Sequence, residues 1–274
     1  MVGSLNRRSV KRLVVNADDF GFARDVNEGV LQSHLEGIVR STSLMANGAA
    51  FDHAVELAAR HPSLAVGCHL TLVQGPSVAR PGVSLPATVS EFLAGFPTVD
   101  SVLPEIRAQI EKLMQHGVCP THVDTHKHVH LLPPVLDAMV SAADEFGIGW
   151  IRKPFDIPFG TAGSARSGIA MAVRLFRIPF EERLDRANCS TTDYFAGFAS
   201  TGSMDASWLR GLFATLPFGT GELVCHPGRL GAELLAAPTR LKHSREAELS
   251  ALCDSAVRRA AEAHGIEIVS YRDL

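Results

Sequence analysis

Apolar residues follow two alternating regimes along the chain. Short continuous runs suit buried strands, and between them apolar positions recur every three or four residues, as on one helix face. Leu13–Ala17 reads as a first strand that stops at the acidic pair Asp18-Asp19. Val26, Val30 and Leu31 then fit a helix ending near Gly37, Thr42–Ala46 is a second strand, and Phe51, Ala54, Val55 and Ala58 mark the next helical stripe. Leu64–Leu72 is a third strand, followed by a long Pro-, Gly- and Ser-rich loop over Gln74–Val99. Ser101 can cap a helix with inner face Leu103, Ile106, Ile110 and Leu113, closed by Gly117.

A histidine-rich strand comes next, and Pro133 and Pro134 suit the first turn of a helix carrying Val135, Leu136, Met139, Val140, Ala143 and Phe146. Gly149–Arg152 predicts another strand. The stretch 155–200 is the least legible, with a basic-apolar helix near Ala170–Ile178 and a strand around Cys189–Phe195. Gly221–Cys225 is a strand ending at His226-Pro227-Gly228. Leu249, Leu252, Cys253, Ala256, Val257 and Ala260 predict one last helix, and Ile266–Ser270 a final strand. Strand–helix alternation on this scale implies a parallel sheet. Seven or eight repeats imply an irregular, closed or nearly closed (β/α) barrel, with residues 1–274 forming a single domain.

Composition narrows the partners more than the fold. A chain of 274 residues, 46% hydrophobic and 20% charged, is ample for one large core. Lys+Arg 26 against Asp+Glu 29 gives a net charge of −3, with no long run of either sign, which argues against a nucleic-acid groove or an anionic membrane. The Met1–Lys11 start is polar and basic without a hydrophobic region, and no run has the length of a transmembrane helix. Those features predict a cytoplasmic protein with no membrane span. Five cysteines (Cys68, Cys119, Cys189, Cys225, Cys253) form no Cys-x-x-Cys pair and read as reduced, mostly buried thiols.

The chemistry lies in four short stretches. His122, Asp124, His126, His128 and His130 share one parity, so an extended strand would point four imidazoles and a carboxylate to one side. Imidazole with carboxylate is a ligand set for a divalent metal such as zinc. Asp18, Asp19, His69, His126 and His226 each fall at the C-terminal end of a predicted strand, and in a parallel barrel those ends converge on the face where active sites are built. A lone Asp there would more simply cap a helix, and a lone His69 would be a hydrogen-bonded core histidine. Their convergence favours chemistry over those bland roles. Of two adjacent carboxylates, one can bind a metal while the other stays off it as a base. Asp124 suits a hydrogen bond from a ligating imidazole. His122, His128 and His130 divide among ligand support, substrate contact and plain structure. Strand alternation turns Cys68 and Cys225 away from the histidines that follow them.

Val15-Asn16-Ala17-Asp18-Asp19-Phe20-Gly21, Gly67-Cys68-His69-Leu70-Thr71-Leu72, Thr121 through His130, Cys225-His226-Pro227-Gly228 and the terminal Ser270-Tyr271-Arg272-Asp273-Leu274 together resemble the YdjC-like family, also called the ChbG/HpnK carbohydrate deacetylases. The resemblance spans nearly the whole chain. It implies an irregular (β/α) barrel that removes acetyl from an N-acetylated amino sugar, either a chitooligosaccharide or a glycoconjugate. It makes Asp19, His69 and His126 the ligands of one divalent ion, zinc or magnesium first, with manganese or cobalt also able to serve. It makes Asp18 the general base and His226 the acid, and it implies a homodimer. The family motif often has histidine where this chain has Lys127, which parity places opposite His126. Two rivals stay open. One is a phosphoesterase-like metal hydrolase, for which only Arg152, Lys153 and Arg229 sit near strand ends. The other is a non-catalytic sugar-binding barrel, which the presence of Asp18 disfavours.

Overall fold

The computed structural model describes residues 10–159, 168, 173–187 and 189–274; the predicted polar start at 1–9 and the part of the Ala170–Ile178 helix at 170–172 lie outside them. Among the described residues, seven strands form one curled, all-parallel sheet. Its hub is the ten-residue β1, Lys11–Phe20. On one side β1 pairs with β6 (Gly219–Cys225), which carries β5 (Tyr194–Ala196). On the other, Lys11–Val14 pairs with β7 (Ile266–Val269), and the upper half from Asn16 pairs with β2 (Ser41–Leu44), followed by β3 (Ala65–Leu70) and β4 (Val123–Thr125). The predicted strand Gly149–Arg152 is reduced to single parallel bridges, Val123 to Ile151 and Trp150 to Ser190, which with Asp156 to Phe195 link the β4 and β5 edges. The expected barrel is therefore an incomplete, irregular one.

Alternation along β1 sorts the two faces. Leu13, Val15 and Ala17 enter the large apolar core under the helices. Val14, Asn16 and Asp18, of opposite parity, face the inside of the curl, where polar groups dominate. α1 (Arg24–Leu35) and α2 (Phe51–Arg60) cover that core with the predicted residues Val26, Val30, Phe51 and Ala54. The loop at 74–99 contains a short helix, α3 (Val89–Ala94). α4 (Val99–Gln115) starts one turn before the predicted cap: Thr98 accepts from Ser101 N and Ser101 Oγ accepts from Thr98 N, so Ser101 is the third residue of a reciprocal cap.

Beyond the predicted α5 (Pro133–Glu145), the described part of the next region holds a turn at Arg174–Phe176 and α6 (Arg177–Asp185). α7 (Ala206–Thr215) and the short α8 (Ala232–Ala236) follow. The predicted last helix is two, α9 (His243–Cys253) and α10 (Ser255–Ala263), because Asp254 leaves helical geometry and accepts from Ala256 N at 2.7 Å. No helix among the described residues is long and apolar enough to cross a membrane. Cys68 and Cys225 are buried, whereas Cys119 is exposed and the other two are half-buried, so fewer thiols are sequestered than expected.

The C-terminal turn Tyr271–Asp273 closes the lower end of the curl. The Tyr271 ring stacks on His122 with centroids 3.9 Å apart, and its hydroxyl donates to Glu222 at 2.7 Å. Gly67 makes room for this: a Cβ there would stand 2.4 Å from the His122 ring.

Candidate functional site

Adjacent strand residues normally face opposite ways, yet Asp18 and Asp19 both line one cavity. The β1–β2 register shifts between Ala17 and Phe20, and Asp19 adopts a left-handed φ of 67°. That bulge turns both carboxylates upward. His69 ends β3 next door, and His126 follows β4 directly. His226 follows β6 and lines the same cavity, whose volume is about 490 Å³. All five residues predicted from strand ends are thus brought together.

The histidine run does not stay extended. β4 stops at Thr125, and Lys127 (φ 59°) and His128 (φ 52°) are left-handed, so parity fails beyond that point. Lys127 consequently lines the cavity with His126, contrary to the expectation that it points away. His128 forms wall, edge-on to Phe198 at 5.0 Å. His130 sits below: its Nδ1 is 2.6 Å from Thr125 Oγ1, and its Nε2 is 3.1 Å from the Arg152 carbonyl and must carry the proton. Burial pushes His130 down to about 4 and His122 to about 3, so both are neutral structural groups.

Three donor atoms converge at the cavity floor. Asp19 Oδ1 lies 3.1 Å from His126 Nδ1 and 3.3 Å from His69 Nε2, and the two nitrogens are 3.3 Å apart. The other nitrogen of His69, Nδ1, is 2.5 Å from Asp124 Oδ1. A carboxylate can only accept, so Nδ1 holds the proton and Nε2 presents its lone pair. Asp19 Oδ1 is buried with no hydrogen-bond partner. Lone pairs crowded this way need a cation between them. Bonds of about 2.0–2.1 Å at tetrahedral angles would space such atoms about 3.3 Å apart. Asp19, His69 and His126 therefore fit a divalent ion. Asp18, His69 and Asp124 form a second cluster with ligand spacing. Its carboxylate oxygens are already engaged, by Asn16 and Arg152 on Asp18 and by His69, Ser43 and Arg152 on Asp124.

Electrostatics point the same way. Burial disfavours a charged His69, yet the Asp124 and Asp18 carboxylates outweigh it and push the imidazole up to about 10. Without a metal His69 would carry a second proton on Nε2, toward Asp19; a divalent ion between Nε2 and Asp19 Oδ1 would take that proton's place and leave Nε2 its lone pair. Burial would raise the Asp19 carboxyl, but the Arg245 guanidinium beside it, joined by both imidazoles, holds it well below the usual range. Four linked carboxylates (Asp18, Asp19, Asp124, Glu222) share two guanidinium groups, Arg152 and Arg245. That excess of negative charge is what a bound cation would offset.

Sequence reasoning noted Arg152 only as a basic residue near a strand end, without this role, and missed Arg245. Arg152 is fully buried; its Nη1 and Nη2 grip both oxygens of Asp18 at 2.7 Å, its Nε donates to Glu222 at 2.8 Å, and Nη2 is 2.8 Å from Asp124. Its nearest sequence signal was three inward carboxylates lacking a counter-charge. Arg152→Met removes the guanidinium those three share, so chemical denaturation should show a loss of about 3–5 kcal/mol. A loss below about 1 kcal/mol, within the usual range for surface changes, would contradict the counter-ion role. Lys153 and Arg229 are paired elsewhere, with Glu181 and with Glu28 and Gln32, and neither lines the cavity. Arg245, from α9, does line it and donates to Asp19 Oδ2. His226 is positioned by Glu248, which accepts from its backbone N–H at 2.7 Å, while His226 Nδ1, 4.0 Å from the same carboxylate, has no hydrogen-bond partner among the described residues.

A family model described as YdjC-like protein matches residues 12–263. A carbohydrate deacetylase of Brevibacillus brevis is 31% identical over 269 residues, covering 96% of this chain and 99% of that protein. A chitooligosaccharide deacetylase of Klebsiella pneumoniae is 28% identical over 274 residues, covering 96% and 98%. A crystal structure of an Enterococcus faecalis V583 protein has the same fold, with a TM-score of 0.77, 23% identity and coverage of 97% and 99%.

Proposed function

The chain belongs to the YdjC-like protein family, and we propose that it is a metal-dependent carbohydrate deacetylase releasing acetate from an N-acetylated amino sugar. The observation that carries this reading is the triangle of unshared donors, Asp19 Oδ1, His69 Nε2 and His126 Nδ1, on the floor of a cavity walled by Asp18 and His226. Full-length relatives named carbohydrate and chitooligosaccharide deacetylases support the substrate class. A chitooligosaccharide or a glycoconjugate end fits a cavity of about 490 Å³, in which Phe22 and Phe198 offer apolar faces to a sugar ring. Two nitrogens and one oxygen suit zinc, with magnesium second. A homodimer enters the proposal from the family resemblance alone, and a cytoplasmic location from the polar start and the lack of a membrane-length apolar run in the sequence.

Asp19, His69 and His126 would hold the ion, which when bound would acidify water and polarise the acetyl oxygen. The chain's own groups do the rest. Asp18, clamped by both arms of Arg152, is fixed in orientation and takes the proton from the attacking water. Expelling an amine as an anion is prohibitive, so its nitrogen must be protonated as it leaves. Burial, helped by Arg245, lowers His226 on balance although Glu248, Asp18 and Asp19 oppose it, so the imidazole rests neutral and would receive its proton during the reaction before passing it to the amine.

Acetate should be released from N,N′-diacetylchitobiose, and no phosphate from sugar phosphates; the reverse pattern would favour the phosphoesterase rival. His226→Ala should slow hydrolysis of the N-acetyl sugar by roughly 10²-fold or more yet spare an activated acetate ester, whose leaving group needs no proton. Equal losses on both substrates, or none on either, would remove His226 from the chemistry.

A further inference from the structure

Asp19 Oδ1, His226 Nδ1 and Arg245 Nη1 are buried around one cavity without a hydrogen-bond partner among the described residues. The first is an acceptor, answered by a cation, and the second belongs to the proposed acid. The third is a permanent donor, and nothing above uses it. Arg245 is 2% exposed. Its Nε donates to the Leu241 carbonyl at 3.2 Å, and its Nη2 to Asp19 Oδ2. Its third arm is left over. The ring of Phe22, which lines the same cavity 5.9 Å from the guanidinium carbon, offers a π face and no acceptor.

A buried cationic N–H without an acceptor is costly, and a guanidinium arm beside a reaction cavity has an anionic oxygen as its natural complement. The proposed reaction makes one. Water oxygen bonds to the acetyl carbon, and the carbonyl electron pair moves onto oxygen. That pair returns as the C–N bond breaks, the nitrogen takes up the proton that water gave, and the acetic acid left behind yields its remaining proton to the freed amine and departs as acetate.

Resting on the deacetylase reading, we propose that Arg245 is the anion-binding residue of this site. Its Nη1 donates to the acetyl oxygen as negative charge develops there, then to the carboxylate of acetate. Its Nη2 meanwhile occupies Asp19 Oδ2, leaving Oδ1 alone for the cavity floor.

The test compares zinc-loaded wild type, Arg245→Gln and Arg245→Lys by metal analysis, steady-state kinetics on N,N′-diacetylchitobiose and calorimetric titration with acetate. Arg245→Gln should keep one zinc and a KM within about threefold, but lose roughly 10²–10³-fold in kcat, the usual effect of removing an oxyanion donor. Its acetate affinity should fall at least about tenfold, as expected for a lost charge-assisted hydrogen bond. Arg245→Lys, which keeps the charge with one arm, should recover part of both. A residue that merely braced Asp19 would lower zinc content and leave acetate affinity per loaded protein unchanged, and that result would overturn the proposal. So would Arg245→Gln binding acetate as wild type does, or wild type binding none. If acetate binding depended on Arg245 but no N-acetyl sugar were hydrolysed, the deacetylase reading would fall and the anion site would stand.

Discussion

His69→Ala is expected to cost the protein its metal and its turnover together. Losing only the hydrogen-bond partner of a metal-bound histidine commonly costs about 10–100-fold in metal affinity, so losing a ligand itself costs more. With zinc near stoichiometric, the variant should retain a small fraction of one equivalent. Acetate release should drop by at least about 10³-fold, since both water activation and charge stabilisation go with the ion. Asp19→Ala and His126→Ala should behave alike, because each removes one corner of the same 3.1–3.3 Å triangle. Metal analysis beside an acetate assay checks all three. Wild-type zinc content in all three variants would refute the assignment.

Asp18→Asn separates the second carboxylate from the first. Arg152 grips both Asp18 oxygens, and Asn16 Nδ2 donates to one of them at 2.9 Å. The asparagine amide keeps one acceptor for Asn16 and one arm of Arg152, while its NH₂ meets the other arm donor to donor, so basicity is lost and the clamp is loosened at one oxygen. Zinc should stay near one equivalent while turnover falls roughly 10²–10⁴-fold, the range that general-base catalysis supplies. Near-normal acetate release would exclude the base role. Joint loss of zinc and rate would instead make Asp18 a ligand.

Much of the site was legible because topology did the gathering. Each of Asp18, Asp19, His69, His126 and His226 sits at a strand's C-terminal end, and a parallel sheet brings such ends to one face. Strand parity misled where the chain left strand geometry. Two consecutive left-handed residues, Lys127 and His128, broke the period of two and swung Lys127 into the cavity. A bulge at Asp19 did the opposite service, aiming adjacent carboxylates the same way. Neither leaves a mark in hydrophobic pattern. Periodicity likewise ran through Asp254, where a single capping carboxylate ends one helix and begins another.

Hydrophobic spacing said least about counter-charges. Arg152 and Arg245 are buried because carboxylates await them, one on the segment bridging the β4 and β5 edges and one on a helix far along the chain. A charge balance over the inward positions of the strands would have called for Arg152. Nothing local marks Arg245, whose place depends on how α9 packs against α1.

Reconstitution of the metal-stripped protein shows whether acetate release depends on one ion at Asp19, His69 and His126. Zinc is added in steps to chelator-treated, dialysed protein while bound metal and acetate release from N,N′-diacetylchitobiose are followed together. Activity should be near zero at the start, rise in proportion to bound zinc and level off at one ion per chain. Full acetate release from the stripped protein, or metal uptake that leaves the rate unchanged, would contradict it.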